Sequence, residues 1–353
     1  MVIKSLRWIN ALLVLLTLAA YLSPWVDPTY FWPISVLGLL YPWLLLGNLL
    51  FVLFWGFMRK KYLLLSLACI LLGWKHLNNF IGLPGGTSQE VGVASGALLQ
   101  VMSFNSFGFQ LQDDARNRRL SSPELKQALS FDGYDLVLIQ EFPTSGATTY
   151  PADHILENSD LKYTNASRGH SLAIFSHYPI VGQGEHYFEN GYNGFQWVDV
   201  ALGDTILRVF NVHLQSNAVS MLAKRVAEEG NIQEKKTWLD IKGMILRYRN
   251  AVEKRTNQAK EVVKEVAKSP YPVLIGGDFN DTPLSYMYHT VSPHLTDHFS
   301  EKGRGLGITY HGKVPALRID YLFSSPGIEV VKHQIGKPNF SDHLPVISTI
   351  QLP

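Results

Sequence analysis

The chain has 353 residues, of which 46% are hydrophobic and 17% charged, and its formal net charge at pH 7 is +2. Residues 1–85 contain six basic residues and one acidic residue, whereas residues 86–353 contain 25 basic and 28 acidic residues, a net charge of −3. This division excludes a wholly soluble protein, a strongly disordered one, and a C-terminal part that binds nucleic acid by bulk positive charge alone.

Uncharged apolar runs fill residues 1–85 and predict a membrane anchor of two or three transmembrane helices, at about 8–26, 33–58 and 62–83. The first two are long enough to cross a hydrocarbon layer of roughly 30 Å. The third crosses only if it continues past Lys75, which would have to extend toward the interface. Cys69, in this run, is the only cysteine, which excludes an intramolecular disulfide and a cysteine-based site farther along the chain.

Basic residues at Lys4, Arg7 and 59–61 flank these runs and should lie in the cytoplasm. If the third run crosses, everything after residue 85 lies outside the cytoplasm, which is our expectation for this integral membrane protein; if it does not, the C-terminal part is cytoplasmic. A cleaved signal peptide ending near Ala19 is the alternative for the first run. No acidic residue is embedded in the runs, which favours a passive anchor over a transport role.

A stretch rich in glycine, proline and serine then predicts a linker at residues 86–96, followed by one domain at 97–353. Short apolar and β-branched runs in this domain predict strands. They lie at Leu98–Phe104, Leu136–Gln140, Leu172–Ser176, Phe195–Leu202, Ile206–Leu214, Val273–Gly276, Ile319–Phe323 and Val346–Gln351.

Helical patterns separate these strands. Ser122 and Pro123 are typical of a helix start, and Arg247–Lys268 has the apolar spacing of an amphipathic helix. The mixture of elements indicates a single α/β domain in which two sheets pack face to face between helices.

Polar side chains that suit catalysis lie at the ends of the predicted strands. Any one of them is more often a cap or a turn residue, but the ordered set indicates a shared site. The set consists of Asn105, Glu141, Asn211, His213, Asp278, Asn280, Asp320, Asp342 and His343.

The residue types in this set suit a phosphorylated substrate. Glu141, Asp278 and Asp342 offer hard oxygen ligands, which together with asparagine carbonyls favour Mg²⁺, or alternatively Mn²⁺, over zinc. Two histidines remain for phosphate contact and proton transfer, and a carboxylate beside one of them would fix its tautomer. The set therefore predicts a metal-dependent hydrolase of phosphoric esters.

The same segments resemble the endonuclease/exonuclease/phosphatase family, of which pancreatic deoxyribonuclease and the neutral sphingomyelinases are members. The resemblance covers about residues 97–353 and implies a four-layer α/β sandwich, two packed, mainly antiparallel sheets flanked by helices. The segments that carry it are FN (104–105), QE (140–141), NVHLQS (211–216), GGDFN (276–280), RIDYLF (318–323) and SDHLPV (341–346).

The resemblance also implies roles for the site residues. It makes Glu141 the principal metal ligand, with Asn105 beside it and Asp342 at the same metal site. It implies in-line attack by a water molecule that Asp278 orients or deprotonates. The implied partners of the phosphate are Asn280, His213 and His343, with Asp320 orienting His343.

The resemblance does not determine the identity of the substrate. The anchor, the charge of −3 and NVHLQS favour a phosphodiesterase acting on a lipid head group or related ester, with the membrane and the substrate as the only readable partners. A tethered nuclease for DNA or RNA is the alternative, using Arg116, Arg118 and Arg119. An inositol phosphatase comes third, and a non-catalytic binding module with the same fold is the last reading.

One segment departs from the family pattern. Residues 217–246 lengthen the connection before GGDFN and interleave apolar residues with lysines. They predict either an amphipathic lid that contacts the membrane or an ordinary helix packed on the sheet.

Overall fold

The computed structural model describes residues 2–82, 98–112, 117–119, 131–143, 151–166, 170–189, 191–217, 230–231, 233–312, 317–337 and 340–353. The helices are α1 Val2–Ala20, α2 Pro28–Phe31, α3 Pro33–Leu39, α4 Tyr41–Phe57, α5 Leu63–Leu72, α6 Trp74–Asn78, α7 Pro151–Glu157, α8 Lys235–Val266, α9 Tyr286–Val291 and α10 His298–Lys302. The strands are β1 Ile81–Gly82, β2 Leu98–Asn105, β3 Gln110–Gln112, β4 Asn117–Arg119, β5 Leu136–Gln140, β6 Tyr163–Ala166, β7 Leu172–Ser176, β8 Ile180–Tyr187, β9 Gly194–Leu202, β10 Thr205–His213, β11 Val273–Asp278, β12 Thr296–Asp297, β13 Gly305–Leu306, β14 Asp320–Ser324, β15 Glu329–Ile335 and β16 Val346–Gln351.

Two compact units share the chain. The helical unit contains Met1–Ile81, Asn217–Asn257 and Asp281–Thr290, and the sheet unit contains the remainder. The helical unit therefore includes two stretches that the sequence assigns to the domain at 97–353. The predicted linker at 86–96 lies outside the described residues.

The prediction of two or three transmembrane helices is not confirmed. Within the described residues, only α1 is long and apolar enough by itself to cross a membrane, a test that a signal sequence also passes. The second predicted span is two helices, α3 and α4, bent by 60° at Leu40, and this pair passes the test only if it counts as one span. The third is divided at Gly73 into α5 and the five-residue α6.

Buried polar side chains join the helices of this unit. Asn10 donates from Nδ2 to Ser66 Oγ at 2.6 Å, and its Oδ1 accepts from Trp55 Nε1 at 2.9 Å. Asn48 on α4 donates to Thr17 Oγ1 on α1 at 2.8 Å. Polar groups inside an apolar bundle are satisfied only in one helix arrangement, so these bonds fix how α1, α4 and α5 pack.

Two six-stranded sheets form the core of the sheet unit. Their strand orders are β12-β14-β11-β10-β9-β8 and β15-β16-β2-β5-β7-β6. The inner faces bury one shared apolar cluster, which includes Val101, Leu138, Val209, Leu274 and Leu322. A second cluster, which includes Ile155 of α7, covers the outer face of the sheet that contains β2.

This arrangement confirms an α/β fold of two packed sheets flanked by helices. Each sheet is mixed, because β10 runs parallel to β11 and β2 runs parallel to β5, while the other neighbours are antiparallel. Four strands of these two sheets, β6, β8, β12 and β15, were not predicted. The predicted helix Arg247–Lys268 is longer, since α8 begins at Lys235, and the helix predicted at Ser122 lies outside the described residues.

Two buried histidines share one hydroxyl group in the sheet unit. His298 Nδ1 and His333 Nδ1 each lie 2.9 Å from Ser348 Oγ. A hydroxyl has one hydrogen to donate, so one ring accepts it and the other ring donates its own Nδ1 hydrogen. Burial lowers the pKa of His298 to about 4 and that of His333 to about 3. Both rings therefore stay neutral in the folded protein.

We expect this pair to make the protein sensitive to acid. Below the ordinary histidine pKa of 6.5 the unfolded chain takes up protons that the folded protein cannot. The contribution to stability is complete above that pH and is lost as the pH falls toward the two lowered values. At pH 5 the loss should be about 2 kcal/mol for each histidine.

Chemical denaturation between pH 7.5 and 5 would measure this loss. His333→Leu should flatten the dependence, because one of the two proton-binding differences disappears. The exposed His294 provides the control, and His294→Gln should keep the steep dependence. An equal slope for wild type and His333→Leu would contradict the assignment.

Candidate active site

The strand register brings the predicted polar residues to one edge of the two sheets. At the end of the parallel pair β10–β11, His213 lies opposite Asp278. In the antiparallel neighbour β14, the first residue, Asp320, lies opposite Asp278. In the other sheet β2 ends at Asn105, opposite Gln140, the residue before Glu141. Residues far apart in sequence thus meet because their strands end together.

Asn105 connects the carboxylates of the two sheets. Its Nδ2 donates to Glu141 Oε1 at 3.1 Å and to Asp278 Oδ2 at 3.0 Å. Its Oδ1 accepts from the backbone N–H of Phe107 at 3.1 Å. Asn105 therefore lies beside Glu141 as expected, but its amide nitrogen, rather than its oxygen, faces the two acids.

A second chain of contacts runs from Asp320 through His343 to Asp278. His343 Nδ1 lies 3.1 Å from both carboxylate oxygens of Asp320, and its Nε2 lies 3.7 Å from Asp278 Oδ2. Burial alone would lower the pKa of His343, but the charges of Asp320 and Asp278 outweigh it and raise the pKa to about 10. The ring is therefore an imidazolium at neutral pH, and Nε2–H points into the site.

Asp278 is the most enclosed carboxylate of the group, with 1% of its surface exposed. Burial raises its pKa to about 6, while the charges of His343 and His213 and the bond from Asn105 act in the opposite direction. A carboxylate with a pKa near neutrality can accept a proton during a reaction. Asn280 donates its backbone N–H to Asp278 Oδ1 at 2.9 Å and orients the group.

His213 also lies near both acids. Its Nε2 lies 3.9 Å from Glu141 Oε1 and 3.8 Å from Asp278 Oδ2. Its Nδ1 is buried and has no hydrogen-bond partner among the described residues. The Tyr192 ring lies 5.5 Å from the His213 ring, centroid to centroid.

Asp342 and Ser341 complete this edge. Ser341 Oγ donates to the Asn105 carbonyl at 2.8 Å and accepts from the His343 N–H at 3.0 Å, which ties the SDH turn to β2. The Asp342 carbonyl accepts from the His311 N–H at 2.7 Å. Its side-chain Oδ1 is buried and has no hydrogen-bond partner in the described part of the chain.

The backbone is strained at two of these positions. Glu141 has a φ of 53° and Asn280 a φ of 56°, both in the left-handed region that side chains other than glycine rarely adopt. Gly277 has a φ of 155°, and a Cβ there would lie 2.0 Å from the Val212 carbonyl oxygen. Strain of this kind typically persists where a function requires it.

Asn211 has a structural position instead. Its Nδ2 donates to the carbonyls of Ile139 at 2.9 Å and Ala173 at 3.0 Å, and its Oδ1 accepts from Gln140 Nε2 at 2.6 Å. Asn211 belongs to one sheet and its three partners to the other. It fastens the two sheets directly behind the site.

Tyr192 was not predicted from the sequence. Its hydroxyl makes a hydrogen bond to Glu141, the proposed metal ligand. It lies in the glycine-containing connection between β8 and β9, and no strand-end pattern marks it. Only the position of that connection could have revealed it.

The donor set fits a divalent metal ion. Glu141 and Asp342 offer carboxylate oxygens. The described residues offer no partner to Asp342 Oδ1, which is costly to bury unless a cation or a donor approaches it. Donor atoms of Asp278, Asp320 and His343 also lie within 4.8 Å of one another. We do not regard these three as a ligand set, because His343 Nδ1 bonds to Asp320 and a protonated ring cannot bind a metal.

Comparisons with known proteins agree with this geometry. Residues 102–343 match the model of the Endonuclease/Exonuclease/phosphatase family, and residues 3–80 match a domain of unknown function (DUF8431). No curated protein matches the chain in sequence.

Three solved structures resemble this chain to different degrees. An endonuclease/exonuclease/phosphatase from Beutenbergia cavernae is 18% identical with a TM-score of 0.50, and the match covers 72% of each chain. A beta toxin from Staphylococcus aureus is 17% identical with a TM-score of 0.43, covering 71% of this chain and 99% of that one. Truncated TDP2 from Caenorhabditis elegans is 18% identical with a TM-score of 0.46, covering 72% and 98%.

The family match spans more than half of the chain and contains Glu141, His213, Asp278, Asp320 and His343. The chain therefore belongs to the endonuclease/exonuclease/phosphatase family of metal-dependent hydrolases that act on phosphoric ester bonds.

Proposed function

We propose that the protein is a membrane-anchored phosphodiesterase that uses Mg²⁺ to hydrolyse a lipid head group or a related phosphodiester by in-line attack of water. One observation carries the chemistry. The supporting contacts run from Asp320 through the His343 imidazolium to the Asp278 carboxylate, and Glu141 is linked to Asp278 through Asn105.

Glu141 and Asp342 are the proposed metal ligands. When bound, Mg²⁺ supplies positive charge that offsets the charge of the phosphate. Asn105 becomes a third ligand only if its amide is reversed, because its nitrogen now faces Glu141. In the arrangement described here, Asn105 instead holds Glu141 and Asp278 at a fixed separation.

The proposed reaction needs one proton acceptor and one cation from the chain. Asp278 orients the water and accepts its proton while the new oxygen–phosphorus bond forms. The bond to the leaving oxygen breaks on the opposite side, and that oxygen keeps the electron pair and takes a proton from solvent. His343, held by Asp320, donates from Nε2 to the phosphate, and His213 and Asn280 contact the other phosphate oxygens.

Contacts within the helical unit support the extracytoplasmic side for this chemistry. The Arg7 guanidinium lies 4.4 Å from the centre of the Tyr62 ring, so the basic clusters near residues 4–7 and 59–61 share one end. At the other end Ala20, Tyr41 and Phe80 pack with Leu284. Because basic residues stay in the cytoplasm, we assign the end that contains Leu284 to the outside.

The exposed face of α8 supports a lipid substrate. Trp238 and Leu239 are each 58% exposed, Ile245 is 45% exposed and Leu246 is 47% exposed. The helical spacing places these four side chains on one face, together with the exposed Lys242. An apolar helix face with lysines, in the unit that contains the anchor, fits the surface of a bilayer with anionic lipids.

A nuclease is the alternative substrate class. Arg118 and Arg119 lie on β4, whereas Arg116 lies outside the described residues. The lipid substrate is favoured because the exposed apolar face has no use in binding a free polynucleotide.

The deciding experiment offers three substrates to the full-length protein in lipid nanodiscs with Mg²⁺. These are bis-p-nitrophenyl phosphate, a phosphocholine lipid such as sphingomyelin, and plasmid DNA. We expect turnover of the soluble ester and the lipid, and loss of both in His343→Ala. DNA cleavage that His343→Ala abolishes, without lipid turnover, would show the nuclease instead. A folded protein that binds Mg²⁺ and hydrolyses none of the three would favour a non-catalytic module.

The α8 face should affect lipid turnover alone. In the variant Trp238→Ser/Leu239→Ser, we expect hydrolysis of lipid in vesicles to fall about tenfold, since roughly 1.4 kcal/mol of interfacial contact is lost. Hydrolysis of bis-p-nitrophenyl phosphate should not change. Lys254→Ser, on another face of the same helix, is the control. Equal loss on both substrates would mean that the face supports folding instead.

A further inference from the structure

The segment Asp281–Thr290, here called the docking segment, directly follows Asn280 but belongs to the helical unit. Leu284 is completely buried there. It packs in one cluster with Ala20, Tyr41, Leu45, Ile70 and Phe80. After the GGDFN motif the chain packs into a site formed by the N-terminal helices, and it returns to the sheet unit at Val291. This site around Leu284 is here called the receptor.

The receptor fits the backbone of the docking segment closely. A Cβ on Gly38 would lie 2.6 Å from the Leu284 carbonyl oxygen and 2.4 Å from Ser23 Oγ, so only glycine permits this approach. The Trp25 ring lies 4.0 Å from the His289 ring, centroid to centroid. Both contacts come from the chain between α1 and α4, at the end opposite the basic clusters.

A buried ion pair fastens the beginning of the docking segment. Arg255 on α8 is fully buried and donates from Nε to Asp281 Oδ2 at 2.9 Å. It also donates from Nη1 to Asn217 Oδ1 at 3.1 Å, and Asp281 Oδ1 accepts from the Thr282 N–H at 3.0 Å. Breaking a buried pair is strongly unfavourable, so the position of Asp281 is fixed.

Asp281 is one peptide bond away from Asn280, whose strained backbone donates the hydrogen bond that orients Asp278. A strained conformation persists only where the surrounding structure enforces it. In this chain the docking segment, which follows Asn280, is held by the N-terminal helices and by α8.

We propose that the N-terminal helices, which match a domain of unknown function, are a positioning element of the enzyme as well as an anchor. They grip the docking segment and thereby hold Asn280 and Asp278 in the geometry for attack. The inference rests on the proposed role of Asp278. If the helices were only a passive anchor, as the sequence predicts, disturbing these contacts would not change the rate of the reaction.

Gly38→Val in the full-length protein tests this directly. It disturbs the receptor and replaces no residue of the site or of the sheet unit. Gly56→Val is the matched control, since a Cβ at Gly56 meets no atom within 4 Å. Two quantities are measured in nanodiscs: amide hydrogen exchange of peptides from residues 273–290, and kcat and KM for bis-p-nitrophenyl phosphate.

We expect Gly38→Val to accelerate exchange in 279–290, where the His289 N–H now donates to the Ser285 carbonyl. Its kcat should fall about 10- to 100-fold with little change in KM, because small misplacements of reacting groups have effects of this size. Gly56→Val should match wild type in both. Should Gly38→Val fail to fold, Trp25→Ala removes an exposed ring with smaller effects in the same direction.

Faster exchange in 279–290 with a wild-type kcat would overturn the inference and leave the helices as a passive anchor. Unchanged exchange would show that the receptor does not hold the segment. If the wild type hydrolyses no ester, the proposed function fails. The exchange data then decide the inference alone: acceleration that reaches 273–280 supports it, and acceleration confined to 281–290 overturns it.

Discussion

Asp278→Asn should lower kcat for a soluble phosphodiester about a thousandfold, within the range observed when a proton acceptor is removed. The amide has the same shape and can still accept the N–H of Asn280. It cannot take a proton from water, and it places no negative charge 3.7 Å from His343 Nε2. The measurement is kcat for bis-p-nitrophenyl phosphate at saturating Mg²⁺.

The same substitution should leave the fold as stable as before, or more stable. Burial raises the pKa of Asp278, and the nearby charge of Asp320 raises it further, so the ionised carboxylate is costly to keep in this place. Asp204→Asn, in the exposed turn between β9 and β10, is the control and should alter neither activity nor melting temperature. A loss of less than tenfold for Asp278→Asn would exclude this residue as the proton acceptor.

The sequence predicted that these residues lie together because they follow strands, and strand ends are readable. The pattern of apolar runs followed by Asn105, Glu141, His213 and Asp278 anticipates the edge where the register brings them together. The direction of the Asn105 amide was not readable, because it depends on a bond from the backbone N–H of Phe107.

The helical unit was harder to predict because hydropathy reports composition and not direction. The run at 33–58 is uncharged, and although Pro42 interrupts it, its composition does not give the size of the 60° bend at Leu40. The burial of the docking segment could not be predicted from the sequence either. Leu284 lies between Pro283 and Ser285 in DTPLSYMYHT, and its burial among Ala20, Tyr41 and Phe80 arises from contacts more than 200 residues apart in the chain.

The two units have different roles in the proposed enzyme. The sheet unit supplies all the reacting groups, since Glu141, His213, Asp278, Asp320 and His343 belong to it. The helical unit contains the proposed anchor, the exposed face of α8 and the docking segment. Substrate access and site geometry would then depend on the same unit. This explains why one polypeptide interleaves the units instead of joining them by a single linker.

Asp320→Asn should lower kcat about a hundredfold and move the alkaline limit of activity to lower pH. The charge of Asp320 is the largest influence that raises the pKa of His343 against the effect of burial. Without it the pKa of His343 falls, so the imidazolium loses its proton at lower pH and the active form disappears earlier. The asparagine can also present its NH₂ group to Nδ1, which selects the neutral tautomer with its hydrogen on Nε2. The ring could then still donate to the phosphate but would lack the positive charge.

A pH–rate profile of kcat/KM for wild type and Asp320→Asn measures the shift. A double-mutant cycle separates positioning from general damage: in a His343→Ala background, Asp320→Asn should cost little, because the ring it orients is absent. Additive losses in the cycle would show that Asp320 acts independently of His343. An alkaline limit that does not move would mean that another group titrates there, and the assignment of His343 as the cation that contacts phosphate would fall with it.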